Sequence, residues 1–135
     1  FVGRSEQYEL QKKIAGVIGL LAALGKVVII GRGASCVTQG LPQGIHVRLV
    51  APERARLQNV MAELEMREEE ALEHMRQQDE DRERMVRDYY SKDINDPLLY
   101  DVVWNIGTVS ISEIAQILVG MITRKLHTRK PAIIT

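Results

Sequence analysis

Apolar residues in SEQYELQKKIAGVIGLLAAL, residues 5–24, recur at three- and four-residue spacing. Leu10, Ile14, Val17, Ile18 and Leu21 then share one face, which predicts a helix. Ser5 is placed to cap its first turn and Gly25 to end it. The spacing changes at once after that glycine. Residues 26–31, KVVIIG, are apolar without alternation, the pattern of a strand covered on both faces inside a parallel sheet. A short helical turn is expected over 34–39, ended by the QGLPQG loop. IHVRLVA, 45–51, predicts a second strand closed by Pro52.

From Glu53 to about Tyr90 the pattern is helical again, in two pieces broken near 65–67. ERARLQNVMAEL is amphipathic through Ala55, Leu57, Val60, Met61 and Leu64. The second piece, 67–90, is a charge run whose few apolar residues are Ala71, Leu72, Met75, Met85 and Val86; such a helix stays near the surface. One reading of it is a solvated helix laced with ion pairs at i,i+4. DPLLYDVVWNIG, 96–107, opens with a turn and becomes a third strand near 100–105. Ser110 with Glu113 three residues on forms a capping box for a last helix, 111–126. The order of elements predicts an α/β layer sandwich with a mostly parallel sheet. It reads as a single domain over 1–126 followed by a tail, 127–135. Helices 5–24, 53–64 and 111–126 are expected to cover the sheet.

Totals change this picture little. At 135 residues the chain is one domain's worth and can bury roughly 70% of the surface its unfolded form exposes. Its 18 basic and 18 acidic residues cancel, which gives no global pull toward nucleic acid or membrane. Neither is expected as a partner, and the acids that outnumber bases over 62–88 would repel a phosphate backbone. One cysteine, Cys36, excludes an internal disulfide framework and suits a reducing cytoplasm. No apolar run reaches the length of a membrane span.

Two constellations carry candidate chemistry. Gly31-Arg32-Gly33 follows the first apolar run, as in a dinucleotide-binding turn, but Cys36 stands where the third glycine belongs. The next strand ends in Val50-Ala51-Pro52, without the acid a ribose would need. A G-x-x-x-x-G-K-[ST] phosphate loop is absent from this sequence. What remains is Arg32 at the carboxyl end of a strand, between residues without side-chain bulk. There its planar fork suits a phosphate, or else it pairs with a carboxylate of the charged helix. The second constellation is RQQDEDR, 76–82. Arg76, Asp79 and Arg82 are three residues apart in turn and share a stripe that could fold over a phosphate-rich ligand as a lid. No metal site is read from the sequence.

Taken together, VVIIGRGAS, HVRLVAPERARLQNVM, RQQDEDRERM with DYY, and DPLLYDVVWNIGTVSISEIAQIL resemble, in order and spacing, the cytidylate kinase-like branch of the nucleoside monophosphate kinases. The resemblance covers most of residues 8–120. It implies a P-loop kinase-like three-layer fold, with ATP and magnesium as the phosphoryl donor. Arg32 would lie beside the nucleoside monophosphate, Arg76 and Arg82 would be catalytic lid arginines, and Asp79 would hold the nucleoside or orient an arginine. True cytidylate kinases carry an aspartate after the arginine of this turn; Gly33 stands there, so the resemblance does not extend to cytosine selectivity. The family's phosphate loop and substrate-binding helices lie upstream of what matches, and its loop strand sits between those matching 26–31 and 45–50. The sheet is therefore expected to be incomplete at its amino-terminal side. Either this is the carboxyl-terminal part of a longer kinase, or the gap is closed by direct pairing of 26–31 with 45–50, or by a partner chain such as a second copy. Two functions follow as expectations: the substrate and lid side of a kinase acting on (d)CMP or a related monophosphate, or a non-catalytic module that binds a nucleotide or a protein. In either case the 135-residue chain is expected to be inactive by itself.

Overall fold

A computed structural model of the chain describes residues 3–128. The first helix, α1, spans Arg4–Leu24. Its cap is Gly3, whose amide donates to the Glu6 carboxylate at 3.2 Å, so Ser5 lies in the first turn instead of capping it. A carboxylate at the third helical position answers both the orphan amide and the positive end of the helix. Gly25, at φ 76°, ends the helix and donates its amide to the Leu21 carbonyl at 3.1 Å.

The expected strand over 26–31 does not form. Among the described residues that segment has no ladder partner, and it leads instead into a turn and the short helix α2, Ala34–Val37. Its side chains are not covered either: Val28 is 91% and Ile30 87% exposed. Periodicity reported that these residues tolerate burial on both faces, but a strand exists only where a neighbour takes its amides and carbonyls. Direct pairing of 26–31 with 45–50 is thereby overturned.

The sheet consists of two parallel strands, β1, Val47–Val50, and β2, Val102–Asn105, in the register Val47↔Val102 to Val50↔Asn105. Hydrogen bonds from Asp101 N to His46 O and from Ile106 N to Val50 O, both 2.8 Å, extend it at each end. Between the strands run α3, Glu53–Leu64, and α4, Glu68–Tyr90, with the break where the sequence places it. Glu65 takes a left-handed φ of 53° to end α3, and Glu70 accepts from the Arg67 amide to start α4. The 3₁₀ turn Pro97–Leu99 precedes β2. Helix α5, Ile111–His127, begins with the expected box: Glu113 N donates to Ser110 Oγ at 3.2 Å, and Ser110 N donates back to the Glu113 carboxylate at 3.1 Å. The tail expected over 127–135 falls almost wholly outside the described residues.

The buried apolar residues, Ile18, Ala71, Met75, Val86, Leu99 and Ile114, come from several elements and form a thin core. The charged helix supplies three of the six, from the apolar positions that its sequence offers. Large apolar groups stay on the surface along α1 (Leu10, Val17, Leu20, Leu24) and α5 (Ile111, Val119, Ile122, Leu126). A folded monomer of 15.3 kDa exposes about 7,100 Å². This chain exposes 10791 Å². The nine residues outside the described range could account for about 1,500 Å² even if fully extended. The remaining excess exceeds the roughly 800 Å² per partner of a standard interface. The expected cover on both faces of the sheet is therefore incomplete: Leu49 and Val103, on opposite faces, are 50% and 45% exposed. Among the described residues no helix is long and apolar enough to cross a membrane.

Candidate functional site

Arg32 sits in an uncommon backbone. Gly31, Arg32 and Gly33 have φ of 72°, 57° and 68°, three left-handed residues in succession. The Ala34 amide donates to the Gly31 carbonyl at 3.1 Å and closes the turn. Glycine adopts this region freely, whereas a residue with a side chain is strained there by roughly 1–2 kcal/mol. The Arg32 side chain is exposed and makes no ion pair among the described residues. The alternative of pairing with a carboxylate of the charged helix is not what forms.

The turn rests on the end of α4. A Cβ built on Gly33 would lie 2.6 Å from Tyr90 Cε2, so glycine is what allows the approach. Tyr90 is the last residue of α4, and its hydroxyl accepts a hydrogen bond from Gln11 Nε2 of α1 at 2.9 Å. Ser91 then ends the helix in a left-handed conformation, φ 50°. Measured along the helix axis, Arg82 stands about 12 Å and Arg76 about 21 Å from Tyr90. At 100° per residue, Asp79 lies about 20°, Arg76 about 40° and Arg82 about 80° from the Tyr90 direction around the helix.

Asp79 is the organiser of that stripe. Its Oδ1 accepts from Arg56 NH2 of α3 at 2.7 Å and lies 3.4 Å from Arg82 NH1. The hydrogen bond to Asp79 is the main reason that the Arg56 guanidinium is pushed above its ordinary range. Gln78 steadies Arg82 as well, at 3.0 Å. Arg76 is exposed and without an ion pair among the described residues. The pairs along α4, Arg82–Asp79 and Arg84–Asp81, are spaced i,i+3. Asp79 therefore pairs with two arginines, and the one it holds most closely, Arg56, is one that sequence reasoning passed over. Arg56 lies in a helix read only for its apolar face. A basic residue facing the acid-rich helix across a three-residue break was the available signal.

A second polar cluster lies at the mouth of the sheet. His46 Nε2 is 2.8 Å from Thr38 Oγ1, and its Nδ1 is 3.4 Å from Asp101 Oδ2, which also accepts from the His46 amide at 2.7 Å. Thr38 in turn donates to the Ala34 carbonyl at 2.8 Å. This links the α2 segment, just beyond Arg32, to the start of both strands. Nearby, Arg48 reaches Asn95 Oδ1 at 2.9 Å and the Ile94 carbonyl, with its guanidinium over the Tyr100 ring. Burial pushes the Cys36 thiol above its usual value, so it is a poor nucleophile at neutral pH. Among the described residues no group of three or more His, Cys, Asp or Glu is placed to hold a metal ion.

Comparison with known proteins adds a family to this geometry. The cytidylate kinase-like family matches residues 3–108, the span from the cap of α1 to just past β2. The chain belongs to the cytidylate kinase-like family. A crystal structure of an uncharacterized protein from Eubacterium ventriosum ATCC 27560 superposes with a TM-score of 0.70 at 21% identity. The match covers 87% of this chain and 70% of that one. At that identity the likeness speaks to the fold alone, a mixture of helices with a parallel sheet. Among curated proteins nothing matches. Within this cytidylate kinase-like chain the match takes in the Arg32 turn, α3, the α4 stripe and both strands, and leaves out α5.

Proposed function

We propose that this cytidylate kinase-like chain forms the substrate and lid side of a nucleoside monophosphate kinase in the cytoplasm. The observation that carries the reading is Arg32: an exposed, unpaired guanidinium on a strained glycine turn, seated at the foot of a helix whose own arginines share a stripe. Strained backbone persists where surroundings over-determine it, and it clusters at ligand sites. In this reading Arg32 takes the phosphate of (d)CMP or a related monophosphate. Arg76 and Arg82 swing with α4 over the phosphates, and Asp79 keeps Arg82 and Arg56 in register. ATP with magnesium supplies the phosphoryl group when bound. This chain contributes no step through the metal; its arginines bind and orient the acceptor and neutralise charge on the phosphates. Titrating the full-length protein with CMP, then the Arg32→Ala variant, tests the assignment. Weaker binding at an unchanged melting temperature supports it, and equal binding removes it.

The P-loop kinase-like sandwich belongs to the same proposal, since two strands alone do not make the central layer. The uncovered surface and the unpaired 27–30 segment favour completion of the sheet by a further strand, which for this chain in isolation means a second copy. Light scattering of the isolated chain tests that part: a monomer whose 27–30 amides exchange freely would contradict it. The same exposed surface is what a non-catalytic module docking on a protein would show. Binding of CMP separates that reading from the kinase.

A further inference from the structure

Tyr90 has no role in the reading above, yet it touches both parts that carry arginines. It is the last residue of α4, and its ring occupies the space into which a Gly33 side chain would project, 2.6 Å at Cε2 and 3.4 Å at Cδ2 and Cζ. Its hydroxyl is held by Gln11 Nε2 at 2.9 Å, and Gln11, only 9% exposed, is one of the two buried polar residues of the chain's described part. The adjacent Tyr89 meets Tyr8 of α1 with ring centroids 6.3 Å apart. Helix α1 thus grips the foot of α4 at two successive aromatics, and the second bears on the Arg32 turn. That turn needs a support. A left-handed arginine is held in place only by its surroundings, and a Cβ on Gly31 would meet nothing within 4 Å. The ring of Tyr90 is the packed surface beneath it.

We propose that Tyr90 is a positioning residue: its ring seats the Gly31–Gly33 turn, and its hydroxyl, fixed by Gln11, holds the ring, so that Arg32 and the foot of the lid helix move together. The seat is a statement about this fold; its functional consequence rests on Arg32 being the monophosphate contact. Closure of α4 over a ligand would then be felt at Arg32 without any contact between Arg32 and the stripe itself.

The test compares Tyr90→Leu, Tyr90→Phe and Gln11→Ala in the full-length protein by backbone NMR of residues 31–34 and by titration with CMP. Tyr90→Leu is expected to shift the Arg32 and Gly33 amides, speed their hydrogen exchange and weaken CMP binding about tenfold, as small misplacements of a binding group do. Tyr90→Phe keeps the ring and should restore most of both, while Gln11→Ala falls between. Amide positions in Tyr90→Leu identical to wild type, or a phenylalanine variant as impaired as the leucine one, would overturn the seat. If Tyr90→Leu does not fold, Gln11→Ala decides alone, and unchanged 31–34 amides there overturn it. If the amides respond as expected but Arg32→Ala leaves CMP binding intact, the seat stands and the monophosphate reading falls. If Arg32→Ala abolishes binding while Tyr90→Leu leaves 31–34 untouched, the reading stands and the seat falls.

Discussion

Replacing Gly33 by alanine adds one carbon at the most crowded point of the Arg32 turn. Two costs follow. At φ 68° a side chain is strained, for alanine by roughly 1 kcal/mol. The new Cβ also falls 2.6 Å from Tyr90 Cε2, where ordinary contact begins near 3.4 Å, so the ring must retreat by most of an ångström. That retreat stretches the 2.9 Å bond from Gln11, worth about 0.5–1.5 kcal/mol net, and loosens the packing around the ring. Together these give about 2–4 kcal/mol of destabilisation, within the range expected of a strained or overpacked site. Gly31→Ala is the internal control. Its φ of 72° carries the same strain, but nothing lies within 4 Å of its Cβ, so it should cost only about 1 kcal/mol. Urea unfolding of both variants, followed by far-ultraviolet circular dichroism, measures the difference. Adding Tyr90→Leu to Gly33→Ala should cost less than the two changes summed, because the clash partner is gone. A Gly33→Ala variant no less stable than Gly31→Ala would refute the contact and the reasoning built on it.

Acidification should unfasten the start of α5: hydrogen bonds from the Ser110 hydroxyl and amide hold the Glu113 carboxyl below its ordinary value of 4.5. Its stabilising contribution is complete at neutral pH and is lost as pH falls below 4.5, so amide exchange over Ser110–Ile114 should quicken there in wild type and show no such step in Glu113→Gln. Asp79→Ala should cost about 0.2–1 kcal/mol, since both ion pairs are partly exposed and solvent-screened, and most of that cost should vanish in molar salt. A coupled assay of the isolated 135-residue chain with ATP, magnesium and CMP, dCMP or UMP should give no turnover, and turnover above background would contradict the expectation drawn from a sequence without a G-x-x-x-x-G-K-[ST] motif.

Local rules carried the sequence a long way at helix ends. Gly25, the break at 65–67 and the Ser110–Glu113 box are decided within four residues of themselves, and each appears as the sequence implies. Ser5 missed its role by two positions because Glu6 reaches back to Gly3, a choice between neighbouring caps that composition does not settle. The segment 26–31 failed for a different reason. Whether an apolar run is a strand depends on a partner's hydrogen bonds, and that partner is not written in the run itself. The site divides in the same way. The stripe of Arg76, Asp79 and Arg82 follows from helical spacing and was legible. The link from Asp79 to Arg56, and the seat of Gly33 on Tyr90, join residues 23 and 57 positions apart in the chain and became visible only in the fold.

The central claim is that Arg32 receives the phosphate of a nucleoside monophosphate. The most direct measurement is a titration of the isotopically labelled full-length protein with CMP, and with cytidine as the control lacking phosphate, observed at the amides of residues 31–34 and at the arginine side-chain resonances. The expected result is saturable movement of the Arg32 and Gly33 signals with CMP, little with cytidine, and none in Arg32→Ala. Equal responses to CMP and cytidine, or an Arg32→Ala variant that still binds CMP as wild type does, would contradict it.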